Sequence, residues 1–185
     1  MKESHNPSAL RSRKLITDAL LKLMEEYTYN EITVKQIILE TDLVRKTFYR
    51  NFNSKDDVLN AYIDKAIYKY TQALSEKPYD PLSTIFDFCE RNKKMLILLD
   101  KNNMLYLLLL RLNEKIPEIS KTTDISNNPF VRIFGNLKSD YLIACNVGAI
   151  WNVIFKWVHR GMSDSLDEVR DILKEYIKKL NGELY

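Results

Sequence analysis

Apolar residues recur three and four positions apart along most of this chain, and little interrupts them: four glycines and five prolines in 185 residues. That spacing lays a stripe along one side of an α-helix, and scarce turn formers leave helices few places to stop. Ile16, Leu20, Leu23 and Met24, with Ala19 beside them, form such a stripe. Pro7 suits a first helical position, so a helix is expected from about Ser8 to Glu26. Tyr27 to Ile32 then reads as a connection, with Tyr29 as a core anchor. Val58, Leu59, Tyr62, Ile63, Ala66, Ile67 and Tyr70 predict a long helix from Lys55 to about Ser75, begun by Ser54 with Asp57 three residues on. The clearest break is Lys77-Pro78-Tyr79-Asp80-Pro81. Beyond it, helices are expected at about 81–91, 93–100, 103–116, 129–136, 139–160 and 165–181, with Ile116 to Asn128 the most loop-like stretch. The fold class is all-α, and 45% hydrophobic residues suffice for a real core.

Between the first two long helices lies TVKQIILETDLVRKTFYRNFNSK, Thr33 to Lys55. Thr33 can cap a short helix, and Gln36 three residues later completes a capping box. Val34, Ile37 and Ile38 give that helix its apolar side, and a second short helix is expected from near Val44 to about Asn51. Two short helices and a tight turn, locked by Ile37, Leu43 and Phe48, read as a helix-turn-helix. The second helix carries Arg45, Lys46 and Arg50, Lys55 follows, and no acid occurs between Leu43 and Lys55. A short, purely cationic helix fits a grooved polyanion. The net charge is only +3, so a patch, not a global field, must attract any nucleic acid.

Val44-Arg45-Lys46-Thr47-Phe48-Tyr49-Arg50-Asn51-Phe52, followed by Ser54-Lys55, resembles the recognition-helix signature of the TetR family of bacterial transcriptional regulators. The resemblance covers roughly Arg13 to Tyr62, with Thr47, Tyr49, Phe52 and Lys55 at matching spacing and Thr33-Val34 upstream. Asp42 stands where the family usually has the turn glycine, Thr41 and Ile38 replace small residues, Val44 replaces a common Ser or Thr, and Asn51 stands where His is common. Asp tolerates left-handed backbone better than most residues. The resemblance implies a three-helix helix-turn-helix domain over 7–53, a linking helix over 54–76, and a helical ligand-binding and dimerisation domain over 77–185. On its positions, Arg45 and Lys46 are candidates for base edges, and Thr47 for a base or the backbone. Tyr49, Arg50, Asn51 and Lys55 are expected on phosphates, with Thr33 and Lys35 as further contacts. Phe48 and Phe52 are expected in the core. Arg11, Arg13 and Lys14 read equally as phosphate contacts or as a solvated helix start.

Tyr141 to Val158, YLIACNVGAIWNVIFKWV, is apolar at nearly every angle and must be covered on more than one side. Ala144 and Gly148, like Cys145 and Ala149, lie four apart, which lets another helix approach closely. The last helix has an apolar side of Leu166, Val169, Ile172, Leu173, Tyr176, Ile177 and Leu180, with acids near its start and lysines near its end. Gly161 closes the preceding helix, and Ser163 or Asp164 can cap the last one. Two such helices can form half of a four-helix bundle about a two-fold axis. Ala144, Gly148, Ala149, Trp151, Val169, Leu173 and Tyr176 are the candidate dimer contacts; the alternative is the centre of a monomer core. A cavity between helices could be lined by Phe86, Met95, Met104, Tyr106, Phe134 and Trp151, with Phe88 and Phe130 nearby, though ordinary core packing uses the same residues.

Catalytic chemistry finds no foothold. His5 lies in a tail, and His159 has no Cys, Asp or Glu partner at metal-ligand spacing. There is no glycine-rich phosphate loop and no nucleophile elbow, so neither enzyme activity nor a cofactor is expected. Cys89 and Cys145 are expected as buried free thiols in a reducing cytoplasm. No signal peptide is read in MKESHNPS, and the longest apolar run, Met104 to Leu110, falls short of a membrane span. The expected protein is a cytoplasmic homodimeric repressor that binds a palindromic double-stranded DNA operator, does not engage a membrane, and is released by a small-molecule effector. The alternative is an activator or co-regulator that works through a protein partner without an effector.

Overall fold

The computed structural model describes residues 6–74, 81–120 and 140–180, all helical apart from short connections. Helix α1 spans Pro7–Glu26, a 3-10 turn Tyr29–Glu31, α2 Val34–Leu39, α3 Arg45–Asn51 and α4 Lys55–Leu74. After these come α5 (Pro81–Arg91), α6 (Lys93–Lys101), α7 (Tyr106–Ser120), α8 (Asp140–His159) and α9 (Leu166–Leu180). The expected helix at 129–136 and the break at 77–80 lie outside the described residues. Two compact units emerge, Met1–Lys65 and Ala66–Tyr185, and the division falls inside α4.

In the first unit, α1, α2 and α3 pack on one another around Ile16, Leu20, Met24, Ile37 and Phe48, all essentially without exposure. Asn6 and Pro7 start α1 as sequence chemistry requires: the Asn6 side chain accepts from the Ser8 amide, and proline occupies the first turn. The second unit is built on α8, which packs against α6, α7 and α9, while α5 meets α6 and α9. Its centre is aromatic: the Trp151 ring lies 5.8 Å from Phe88 and 6.3 Å from Tyr70, both edge-to-face.

Helix ends follow local chemistry. Asn103, with φ of 57°, closes α6, where the Met104 amide donates to Leu99 O at 2.8 Å. Gly161, with φ of 72°, closes α8 in the same way, and the Met162 amide donates to Trp157 O at 2.9 Å. Two sequence expectations need correction. Helix α7 continues through Pro117 to Ser120, where a loop from Ile116 was expected; the proline costs only one amide bond near the helix end. And α9 is capped not by Ser163 or Asp164 but by Ser165, whose amide donates to Glu168 Oε2 while its hydroxyl accepts from the Glu168 amide. These bonds hold the Glu168 carboxyl below its ordinary range.

Candidate nucleic-acid interface

The turn that sets the crossing of α2 and α3 is made by Asp42, at φ of 54°, a left-handed conformation that Asp tolerates. The capping box forms as expected: the Gln36 amide donates to Thr33 Oγ1 at 3.3 Å, and Gln36 Oε1 accepts from the Thr33 amide at 2.8 Å. Seven residues in α3 then divide cleanly by helical period. Arg45, Lys46, Tyr49 and Arg50 face outward, whereas Phe48 is wholly buried and Thr47 half-buried. The Arg45 guanidinium lies 5.5 Å from the Tyr49 ring centre, so the aromatic ring helps to hold it extended. On α2, Thr33 and Lys35 are exposed, and Lys35 lines a shared hollow with Arg45.

Three of the nearby acids are engaged away from this face. Glu40 pairs with Lys22 of α1 at 2.7 Å, Asp56 accepts from the Tyr29 hydroxyl, and Asp57 accepts from the Asn53 amide at 2.9 Å. Among the described residues, Lys35, Arg45, Lys46 and Arg50 form no ion pair. Arg11 and Lys14 of α1 are also exposed.

Three cationic or polar candidates are placed elsewhere. Asn51 is only 7% exposed; its amide donates to Thr47 O at 2.8 Å, so it does not stand on the contact face. It follows Phe48 by three residues and Thr47 by four, which puts it on the helix's inner side. Arg13 donates to the Asn51 carbonyl at 2.8 Å and stacks 4.2 Å from the Phe52 ring centre. It therefore clasps α1 to the end of α3 rather than reaching outward. Lys55 turns back onto the 3-10 turn, donating to the carbonyls of Tyr29 at 2.6 Å, Ile32 at 2.7 Å and Asn30 at 3.2 Å. Its ammonium satisfies these backbone carbonyls. Lys55→Met is accordingly expected to destabilise the protein by about 1.5–3 kcal/mol in urea unfolding, since carbonyls lose a charged donor. The folded K55M protein should keep its affinity for DNA.

Sequence periodicity did not single out Val44 and Leu39, large apolar residues left bare on this face. Their signal was available: Val44 is an aliphatic residue at a cap position, and Leu39 lies off the apolar side set by Val34, Ile37 and Ile38.

The second unit redistributes the remaining candidates. Trp151 is 1% exposed and packed among Tyr70, Phe88 and Phe155, so it belongs to the protomer's own core and not to a dimer contact. Val169 and Leu173 are likewise buried, with Ile177, on the inner side of α9. The outer face of α8 instead carries Ala144 and Cys145, exposed, and Gly148 and Ala149, partly so. A Cβ built at Gly148 would meet nothing within 4 Å. On α9 the outward apolar residues are Ile172 and Tyr176. Of the cavity candidates, Phe86 and Met95 are buried, with Phe86 edge-to-face on Trp157 at 6.2 Å. Met104 is half-buried, while Tyr106, 54% exposed, lines no interior. Phe134 and Phe130 lie outside the described residues. The two thiols differ: Cys89 is buried, and burial pushes it up to about 12, whereas Cys145 is exposed, contrary to expectation. Among the described residues there is no metal-ligating cluster, and no helix is long and apolar enough to cross a membrane.

Known proteins share this arrangement. Residues 16–62 match the family model described as bacterial regulatory proteins, tetR family. A solved structure from Syntrophomonas wolfei, named as a candidate TetR-family transcriptional regulator, superposes with a TM-score of 0.68. It is 16% identical, and the match covers 95% of this chain and 97% of that one, a likeness of fold. No curated protein matches the chain. Residues 16–62 thus carry a helix-turn-helix like that of the bacterial regulatory proteins of the tetR family.

Proposed function

We propose that this chain is a homodimeric transcriptional repressor that binds a palindromic operator and releases it when a small molecule binds the second unit. The observation that carries the DNA-binding part is the outer face of α3, where Arg45, Lys46, Tyr49 and Arg50 stand together over a wholly buried Phe48. Arg45 and Lys46 reach base edges, and Tyr49, Arg50, Thr33 and Lys35 hold phosphates, with Thr47 at the margin of the contact. A module this small reads DNA in pairs, its half-sites spaced by the dimer.

Support for the pairing comes from the outer faces of α8 and α9, where small residues at Ala144, Gly148 and Ala149 stand with Ile172 and Tyr176 on the surface of the single chain. The effector would act by population shift, favouring a dimer whose reading helices no longer match the half-sites. Its route is α4, which belongs to both units. An activator working through a protein partner would share the DNA face but show no melting shift with any metabolite. The test is sedimentation of the full chain, followed by titration with duplexes selected from a random pool. Ala149→Glu should shift the dimer to monomer and weaken operator binding at least tenfold through lost pairing. A dimer unperturbed by that charge would remove α8 from the interface.

A further inference from the structure

Val44 breaks a local rule, and only its backbone compensates, its carbonyl accepting from the Thr47 amide at 2.8 Å. It occupies the N-cap of α3, where Ser, Thr, Asp or Asn would hold an unpaired amide, and its side chain makes no capping bond. Being 69% exposed, this aliphatic side chain also gains little from burial. Breaches of this kind are expected where function is served.

The surroundings say what it serves. Arg45, next in the chain, lines with Val34, Lys35, Ile38 and Leu39 a shallow hollow of about 220 Å³, and Leu39 is 70% exposed. Bare aliphatic surface is thus set among Lys35, Arg45 and Lys46, three exposed cations. The complement is a surface anionic at its edges with methyl groups between them. Duplex DNA offers that combination in the major groove at A·T pairs, where phosphates flank the thymine 5-methyl group. Hydrogen-bonding side chains alone would leave that methyl unread.

We infer that Val44 is a specificity-determining residue that packs against the 5-methyl group of a thymine in each operator half-site. The inference rests on the DNA-binding reading above and adds a base requirement to it. A methyl contact has no hydrogen-bond direction, so it separates thymine from uracil, which pair identically.

The experiment begins with duplexes selected by the full-length protein from a random-sequence pool. The recovered sequence is then synthesised with thymidine or with deoxyuridine, one position at a time. One thymine per half-site should prove sensitive, its replacement weakening binding about fourfold per half-site, as expected when one methyl group is no longer buried. Val44→Ser should bind both duplexes alike, at the wild-type affinity for the uracil form. It should also melt at or above the wild-type temperature, because serine supplies the missing cap. Wild-type protein that binds thymine and uracil duplexes equally at every position would overturn the inference and leave the DNA-binding reading intact. A V44S protein that still discriminates would do the same. Absence of any enriched sequence would sink the DNA-binding reading, and this inference with it.

Discussion

Replacing Arg45 by alanine is expected to abolish sequence-specific binding while leaving folding and dimerisation unchanged. A bidentate arginine contact to guanine supplies about 1–3 kcal/mol of discrimination, and a two-fold complex uses it twice, so roughly 2–6 kcal/mol is at stake. In a salt-controlled titration that loss spans roughly 30-fold to more than 10⁴-fold. The side chain is exposed and makes no ion pair among the described residues, so its removal leaves no buried charge behind. Removing Tyr49, on which the guanidinium leans at 5.5 Å, should weaken the same interaction by loosening it. Arg50→Ala provides the contrast. Holding a phosphate carries no sequence information, so that variant should weaken all duplexes alike and reduce the salt slope by about one for each phosphate left unneutralised. If R45A retained full specificity, the outer face of α3 would not be the reading surface.

The other large effect lies on the opposite side of the same helix. Phe48 has no exposure, and its ring stands 5.3 Å from Tyr49 and 6.3 Å from Phe52. Phe48→Ala should cost about 3–5 kcal/mol, the transfer loss plus the cavity left behind. Because the first unit is small, that is a large part of what holds it together. Urea unfolding followed through the first unit should therefore show a much lower midpoint, and DNA binding should fall with the folded fraction. Val44→Ser makes the instructive comparison, since it changes the same helix yet is expected to stabilise it. A Phe48→Ala protein as stable as the parent would mean that α3 is not anchored by this ring.

Much of this was written in local sequence. The Thr33–Gln36 capping box and the left-handed Asp42 follow from interactions spanning at most four residues, which the order of side chains specifies directly. The family resemblance also put Phe48 inside and Arg45, Lys46, Tyr49 and Arg50 outside, as their burial has it. What only the tertiary structure decided was the use of long, ambivalent side chains and the choice among apolar faces. Lys55 looked like a phosphate ligand, and Arg13 read equally as one or as part of a solvated helix start, because a cation's partner is not encoded nearby; each turns inward to carbonyls more than twenty residues away. Val169, Leu173 and Trp151 belong to stripes as apolar as any interface, yet they pack on their own chain, leaving Ala144, Gly148, Ile172 and Tyr176 outside. Periodicity states that a face must be covered, and the physical reason it goes no further is that hydrophobic burial is non-directional. Which surface does the covering is settled only when the helices are brought together.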